Sequence, residues 1–317
     1  MIGFYAHHHG SGHIHRCLSI MAQLDRDAQL LSTDPRADVV LPDDATGTPV
    51  DDPTANGTLH YVPRHHTGLT GRMAAIAAWI DEYRPSALYV DVSVEVALLA
   101  RLMGVPVVTL AMPGQRFDDP HQLGYRQADA LIAAWPNWVP VPPHLREHAG
   151  YLHQIGGISR FRRPADRGRG RDCDVVVLAG KGGNDWSEEQ WEQVRAACPD
   201  RDFLFLGGDT FVDDPMPYLS SANVVVSAAG QNSVADLAVA GAKAVVLPQA
   251  RPFAEQHATA ALLDDAGLAV VAETFPEPAA WPALLERAES LDGRWPRWQT
   301  SGAAARAADV IRKVAEL

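Results

Sequence analysis

The sequence predicts an α/β protein of two consecutive doubly wound parallel-sheet domains, and three observations carry that reading. Short apolar runs alternate with segments of helical period from end to end. The alternation lapses once, in an arginine- and glycine-rich stretch, and then restarts. The length of 317 residues, 47% of them apolar and 21% charged, suits two globular domains of ordinary size.

In the first half, Ile2–Ala6, Gln29–Ser32, Ala87–Val90 and Val105–Ala111 are brief, apolar and closed by polar, Gly or Pro residues, as strands buried on both faces should be. Helices are expected between them. His13–Leu24 sets Ile14, Cys17, Leu18 and Met21 on one face; Arg72–Tyr83 and Val92–Met103 read alike, and Gly104 supplies a stop. After Tyr151–Ile155 comes 158–172, with six arginines, Pro164 and neither period, which reads as a solvated connector. The second half gives strands at Asp174–Leu178, Phe203–Leu206, Val224–Ser227, Ala244–Leu247 and Ala269–Ala272. Its helices fall at Ser187–Cys198, Asn232–Ala240 and Ala254–Ala266, the first opened by a Ser187/Gln190 capping box. The domains are thus expected at 1–157 and 173–302, with a last helix at 303–317 able to pack back on the first.

The net charge of −12 disfavours nucleic-acid binding, and three scattered cysteines suit a reducing cytoplasm. No secretion signal or membrane-spanning run is visible, which leaves at most peripheral membrane contact.

Ligands of doubly wound sheets bind beyond the carboxyl ends of the strands, so residues just after strands are the informative ones. The first such segment is His7-His8-His9-Gly10-Ser11-Gly12-His13-Ile14-His15-Arg16. Gly10 and Gly12 allow a sharp turn and close approach of a ligand, while the helix start favours an electron-rich oxygen. His13 falls in the first helical turn, where the dipole disfavours imidazolium; it reads as a general base or as a turn histidine that packs or caps. Five histidines within nine residues invite a metal, but neighbours on an extended strand point to opposite faces, and no metal site is expected. The absence of G-x-G-x-x-G disfavours a nicotinamide enzyme. Asp91, at a strand end, could orient an acceptor, act as an alternative base or cap a helix.

In the second half, Gly180, Gly182 and Gly183 form a glycine loop whose amides can surround a phosphate, or else a tight turn; it is not a Walker loop. After the strand at Val224–Ser227, Ala229 and Gly230 are small, and Gln231, Asn232 and Ser233 open the next helix with an anion-favouring terminus. Asp236, one turn on, could accept both hydroxyls of a ribose or complement the helix dipole.

This stretch resembles the donor-binding segment of the family 28 glycosyltransferases. The likeness lies in the strand, the Ala229–Gly230 pair, the helix carrying acidic Asp236, the Ala240–Gly241 stop, the apolar strand to Pro248 and the loop entering a helix through Glu255-Gln256. The resemblance implies the GT-B fold, two Rossmann-like domains facing across a cleft. It implies that Asp236 holds the ribose, Gln256 and Glu255 the sugar hydroxyls, the amides of Gly230–Ser233 the diphosphate, and the backbone at Phe211-Val212 the uracil. The Gly10–His13 turn matches the family's N-terminal glycine-rich turn, with its histidine near the reacting centre. Where the family carries Glu, this chain has Asp236.

The implied protein is an inverting, metal-independent glycosyltransferase of the cytoplasm and bacterial cell envelope, peripheral at most to the inner face of the membrane. It needs no cofactor, takes a UDP-sugar donor, and uses a small-molecule, glycan or lipid-linked hydroxyl acceptor. Gly12-His13-Ile14-His15-Arg16-Cys17-Leu18 is also similar to the start of nucleotide-sugar hydrolases, GT-B relatives that attack with water. Hydrolysis, 2-epimerisation of a UDP-sugar, or nucleotide-sugar binding without catalysis are the alternatives.

Overall fold

The computed structural model describes residues 1–7, 12–44, 52–162, 173–179 and 185–317. They form two compact units: Met1–Met112, Arg116–Ile155 and Gly302–Leu317 make the first, Pro113–Gln115 and Gly156–Ser301 the second.

The first unit is built on β1 (Ile2–Ala6), α1 (Gly12–Met21), β2 (Ala28–Ser32), β3 (Val39–Val40), α2 (Thr67–Tyr83), β4 (Ala87–Asp91), α3 (Val94–Leu102), β5 (Val107–Ala111), α4 (Asp119–Gln127), β6 (Ala130–Ala133) and β7 (Leu152–Gln154). Its strands pair in parallel in the order β3-β2-β1-β4-β5-β6-β7. The chain runs outward from β1 through β2 and β3, then returns to add β4 on the other side. The sheet's switch point therefore lies between β1 and β4, whose ends are in register at Ala6 and Asp91. α1 buries Ile14, Arg16, Cys17 and Ile20, whereas Leu18, expected on the buried face, is 36% exposed and Met21 is half-buried: the face turned to the sheet is rotated toward Arg16 and Ile20. α2 begins five residues before the expected Arg72, because His66 caps it and Gly68 lets the helix approach the Asp43 carbonyl; a Cβ there would stand 2.1 Å from that oxygen.

The second unit contains β8 (Val175–Leu178), α5 (Glu188–Ala197), β9 (Phe203–Leu206), α6 (Met216–Ser221), β10 (Val224–Ser227), α7 (Gln231–Ala240), β11 (Ala244–Val246), α8 (Glu255–Asp265), β12 (Val270–Val271) and α9 (Trp281–Glu289). The parallel order β12-β11-β10-β8-β9 puts its switch point between β8 and β10. Ser187 and Gln190 form the expected capping box of α5, and Gly241 ends α7 in the left-handed region. Trp191 is 4% exposed among Trp281, Phe205 and Phe275 at the heart of the core.

The last helix, α10 (Ala303–Val314), belongs to the first unit, where it packs on α1 and on β4 to β6. Ile158 and Ser159, read from sequence as the start of the connector, cluster with the second unit: Ile158 is buried and the Ser159 hydroxyl donates to Asp236. Residues 163–172 of that connector lie outside the described residues.

Candidate active site

Several of the residues that the sequence singled out lie beside the two switch points. At the first, α1 starts just beyond β1 and presents His13 to the end of β4. The His13 Nδ1 lies 2.6 Å from Asp91 Oδ1. Asp91 is fully buried, and its carboxylate also accepts from Arg16 Nη1, at 3.1 Å and 3.3 Å, and from the Tyr89 hydroxyl at 3.1 Å. Burial alone would raise the Asp91 carboxyl, but Arg16, His13 and the Tyr89 hydrogen bond outweigh it and hold the group below the ordinary carboxylate range. An ionised Asp91 can only accept, so His13 donates to it from Nδ1. His13 itself is part-exposed, with 19% of its side chain in solvent.

The structure answers one of the three readings of Asp91. It is not the helix cap, because Ser93 caps α3 by accepting from the Val96 amide. Complete burial leaves its carboxylate in contact with His13, Arg16 and Tyr89 and out of reach of solvent. The next residue, Val92, has φ 63°, a conformation that costs a β-branched residue of order 1–3 kcal/mol and marks backbone fixed by its surroundings. Gly12 opens α1, while Gly10 lies outside the described residues.

Beside Val92 a small pocket lies at the ends of β4 and β5. Val94, Ala97, Leu110 and Met112 wall it, with His60 and His121 among its polar lining. His60 Nε2, His121 Nδ1 and the Asp118 carboxylate lie within 4.8 Å of one another, a spacing that three metal ligands could have. Arg116 opposes that use: its guanidinium lies 2.8 Å from His121 Nε2 and can only donate, so Nδ1 carries the proton and gives it to Asp118 at 2.8 Å. Burial, together with Arg116 and His60, pushes His121 down to about 4 against the pull of Asp118. The group is a hydrogen-bonded chain of fixed tautomer.

At the second switch point, Ala229 is buried and Gly230 caps α7, whose first turn holds Gln231, Asn232 and Ser233. Gly230 caps the helix without a side chain, and a Cβ there would meet only ordinary contacts with Ser233 and Gln256. Gly180, Gly182 and Gly183 follow β8 and lie outside the described residues. Phe211 and Val212 follow β9 in the loop that Gly207 begins. Gly207, at φ 150°, packs on Ala179 at the end of β8, where a Cβ would stand 2.5 Å from the Ala179 carbonyl.

Two side chains here do something other than expected. The Gln256 Oε1 accepts from the amides of Ala229 (3.2 Å) and Gln249 (2.9 Å), so this buried side chain ties the loop after β10 to the loop after β11; its carbonyl is occupied and only its NH2 remains for a sugar hydroxyl. Asp236 gives one carboxylate oxygen to Ser159 at 2.6 Å. Burial raises it to about 7, with Ser159 and Arg160 pulling the other way. Glu255 begins α8 beside Gln256, directly after Phe253 and Ala254, two non-glycine residues in the left-handed region. Sequence reasoning missed Gln249, whose Oε1 accepts from the Asp185 amide at 2.7 Å and extends the same tie to the loop after β8.

Among solved structures, the chain is similar to the glycotransferase of kitacinnamycin, with 16% identity, a TM-score of 0.70 and coverage of 99% of this chain and 98% of that one. It is similar to MurG of Acinetobacter baumannii, with 16% identity, a TM-score of 0.65 and coverage of 98% and 99%. It is similar also to the glycosyltransferase VinC in complex with dTDP, with 13% identity, a TM-score of 0.65 and coverage of 99% of each chain. No curated protein matches it in sequence. The fold is thus that of the GT-B glycosyltransferases, two α/β units with parallel sheets. Residues 163–275, within the second unit, match the family model described as "Glycosyltransferase family 28 C-terminal domain". Among the described residues no helix is long and apolar enough to cross a membrane.

Proposed function

We propose that the protein transfers a sugar from a UDP-sugar to a hydroxyl acceptor with inversion and without a metal. The observation that carries this reading is the 2.6 Å contact of His13 Nδ1 with buried Asp91, which directs the Nε2 lone pair of a part-exposed imidazole at whatever meets the switch point. In the proposed step the acceptor oxygen forms a bond to the anomeric carbon as the bond from that carbon to the diphosphate oxygen breaks. The electron pair leaves with UDP, and the hydroxyl proton passes to His13 Nε2. Asp91 stabilises the imidazolium that forms, in the way the aspartate of a hydrolytic triad does. One displacement inverts the centre.

The negative charge on the departing diphosphate suits the amides at the start of α7, a helix end with its positive dipole toward the ligand. The ties through Gln256 and Gln249 keep the loops around that end in place.

The donor is tested by a thermal-shift panel of UDP, dTDP, GDP and CMP. A ligand at a hundred times its dissociation constant adds about 2.7 kcal/mol, so UDP should give the largest rise, and a larger rise with dTDP would reassign the nucleotide. The reaction is tested by NMR of UDP-glucose and UDP-N-acetylglucosamine incubated without acceptor. Slow leakage fits a transferase, free sugar at turnover rates a hydrolase, and an altered sugar an epimerase.

A further inference from the structure

We infer that Arg16 is a positioning residue for the base: by neutralising Asp91 within the same buried cluster, it leaves His13 unprotonated and ready to accept. This rests on the reading of His13 as the base, and its test below does not. The geometry comes from one helix and one strand. Arg16 follows His13 by three residues on α1, so both side chains lie on the face turned to β4. Its guanidinium is 4% exposed and contacts both oxygens of Asp91.

A fully buried carboxylate held by a neutral imidazole and a phenol alone would carry an uncompensated charge, which costs several kcal/mol in a protein interior. The cluster would relieve that cost by keeping a proton, either on Asp91 or on His13. Either outcome impairs the base: a protonated Asp91 no longer supplies the negative charge that the forming imidazolium needs, and a protonated His13 has no Nε2 lone pair. Arg16 supplies a positive charge that cannot dissociate. Each other group around the carboxylate is neutral or titratable. Burial raises the Tyr89 hydroxyl and the Cys17 thiol well above their usual values, so both stay protonated. The His7 ring stands 6.0 Å from that of His13, edge to face. Among these groups Arg16 alone is a permanent cation, and it leads the charges that keep Asp91 ionised.

The test is an NMR titration of the His13 imidazole in the free protein, wild type against R16K and R16Q, with thermal melting as the control for folding. In R16Q the midpoint for proton uptake by the His13–Asp91 pair should rise by about one pH unit, a tenfold loss of free base below the new midpoint. In R16K it should stay near the wild-type value. Should R16Q fail to fold, D91N and D91N/R16M carry the same test, because the double variant leaves no unpaired charge inside; the midpoint should rise from the single to the double variant. An unchanged midpoint in R16Q, or between D91N and D91N/R16M, overturns the inference. No substrate is present, so a failure to transfer sugar would refute the proposed activity while this measurement still decides the role of Arg16. Where transfer is observed, the acidic limb of kcat/KM should follow the same shift.

Discussion

The two switch points share a topology and differ in substance. The first concentrates ionisable side chains: His13, Asp91, Arg16 and Tyr89 meet where β4 ends beside α1. The second is a framework of main-chain groups, the Ala229 and Gln249 amides on Gln256 and the Asp185 amide on Gln249, around the glycine-capped start of α7. The contrast suits the two halves of a displacement. Deprotonating an acceptor needs a group that can change charge, and a buried counter-charge keeps it poised. Stabilising a departing diphosphate needs donors that never change charge, which backbone amides supply without reorganisation.

The sharpest way to break that division is His13→Ala. Transfer should fall by about 10^2 to 10^4, the span of general-base catalysis, while the thermal shift with UDP stays at its wild-type value. Turnover unaffected by the change would move the base elsewhere, and a lost UDP shift would show that the two functions are not divided between the units.

The next effect belongs to the first unit and appears on acidification. His121 titrates near 6.5 when unfolded and is pushed down to about 4 when folded, by burial first. The unfolded chain therefore takes up the proton first as pH falls. The stabilising contribution is complete above about pH 6.5 and is lost between there and about 4, to an extent of about 3 kcal/mol. His144 and His148, also lowered by burial, add in the same direction. Urea unfolding at several pH values reads this slope, and His121→Gln should flatten it; an identical slope in the variant would remove His121 as its source.

In the second unit the matching change is Gln256→Ala, which strands two backbone amides. We expect a loss of about 2 kcal/mol in stability, since a buried donor left without a partner costs about 1–3 kcal/mol. UDP affinity should weaken about tenfold as the loops after β10 and β11 loosen, equivalent to about 1.4 kcal/mol. Gln256→Glu keeps the carbonyl-like acceptor and should recover most of both. The His13 titration should not move in either variant.

The contrast also governs how much of the molecule was legible in the sequence. Amide-built sites leave a local trace, because small residues, a glycine cap and a helix start must follow one another; Ala229 to Asp236 reads directly. A side-chain cluster leaves only fragments. His13 and Arg16 are visible at helical spacing, but Asp91 is 78 residues away and joins them only through the parallel pairing of β1 with β4. The glutamine ties were hidden for the same reason, since nothing local tells a Gln that it will accept from amides two loops away. Among the elements, α4 and β6 escaped notice. α4 is a nine-residue helix with proline in its first turn, little apolar periodicity and Gly124 inside it, and β6 is Ala-Leu-Ile-Ala, without the β-branched run that marks β5. Their identity is set by burial between α3 and the sheet, which is tertiary information.

The smallest effect sharpens the comparison by its sign. Asp236 is raised to about 7 by burial when folded, against about 3.9 unfolded. Its contribution is therefore complete below about pH 3.9 and is lost as pH rises through about 7, opposite to that of His121. Asp236→Asn should leave acid stability unchanged and raise stability at pH 8. The gain should be about 1 kcal/mol or less, because the side chain is part-exposed and water screens it. The Ser159 hydroxyl bonds an amide as readily as a carboxylate, so the contact itself survives the substitution. Thermal melts at pH 5 and pH 8 decide the matter. A variant less stable than wild type at pH 8 would mean that the Ser159–Asp236 bond outweighs the cost of the buried charge. In that case the second unit, like the first, would depend on an ionised side chain at its switch point, and the division between the two units would dissolve.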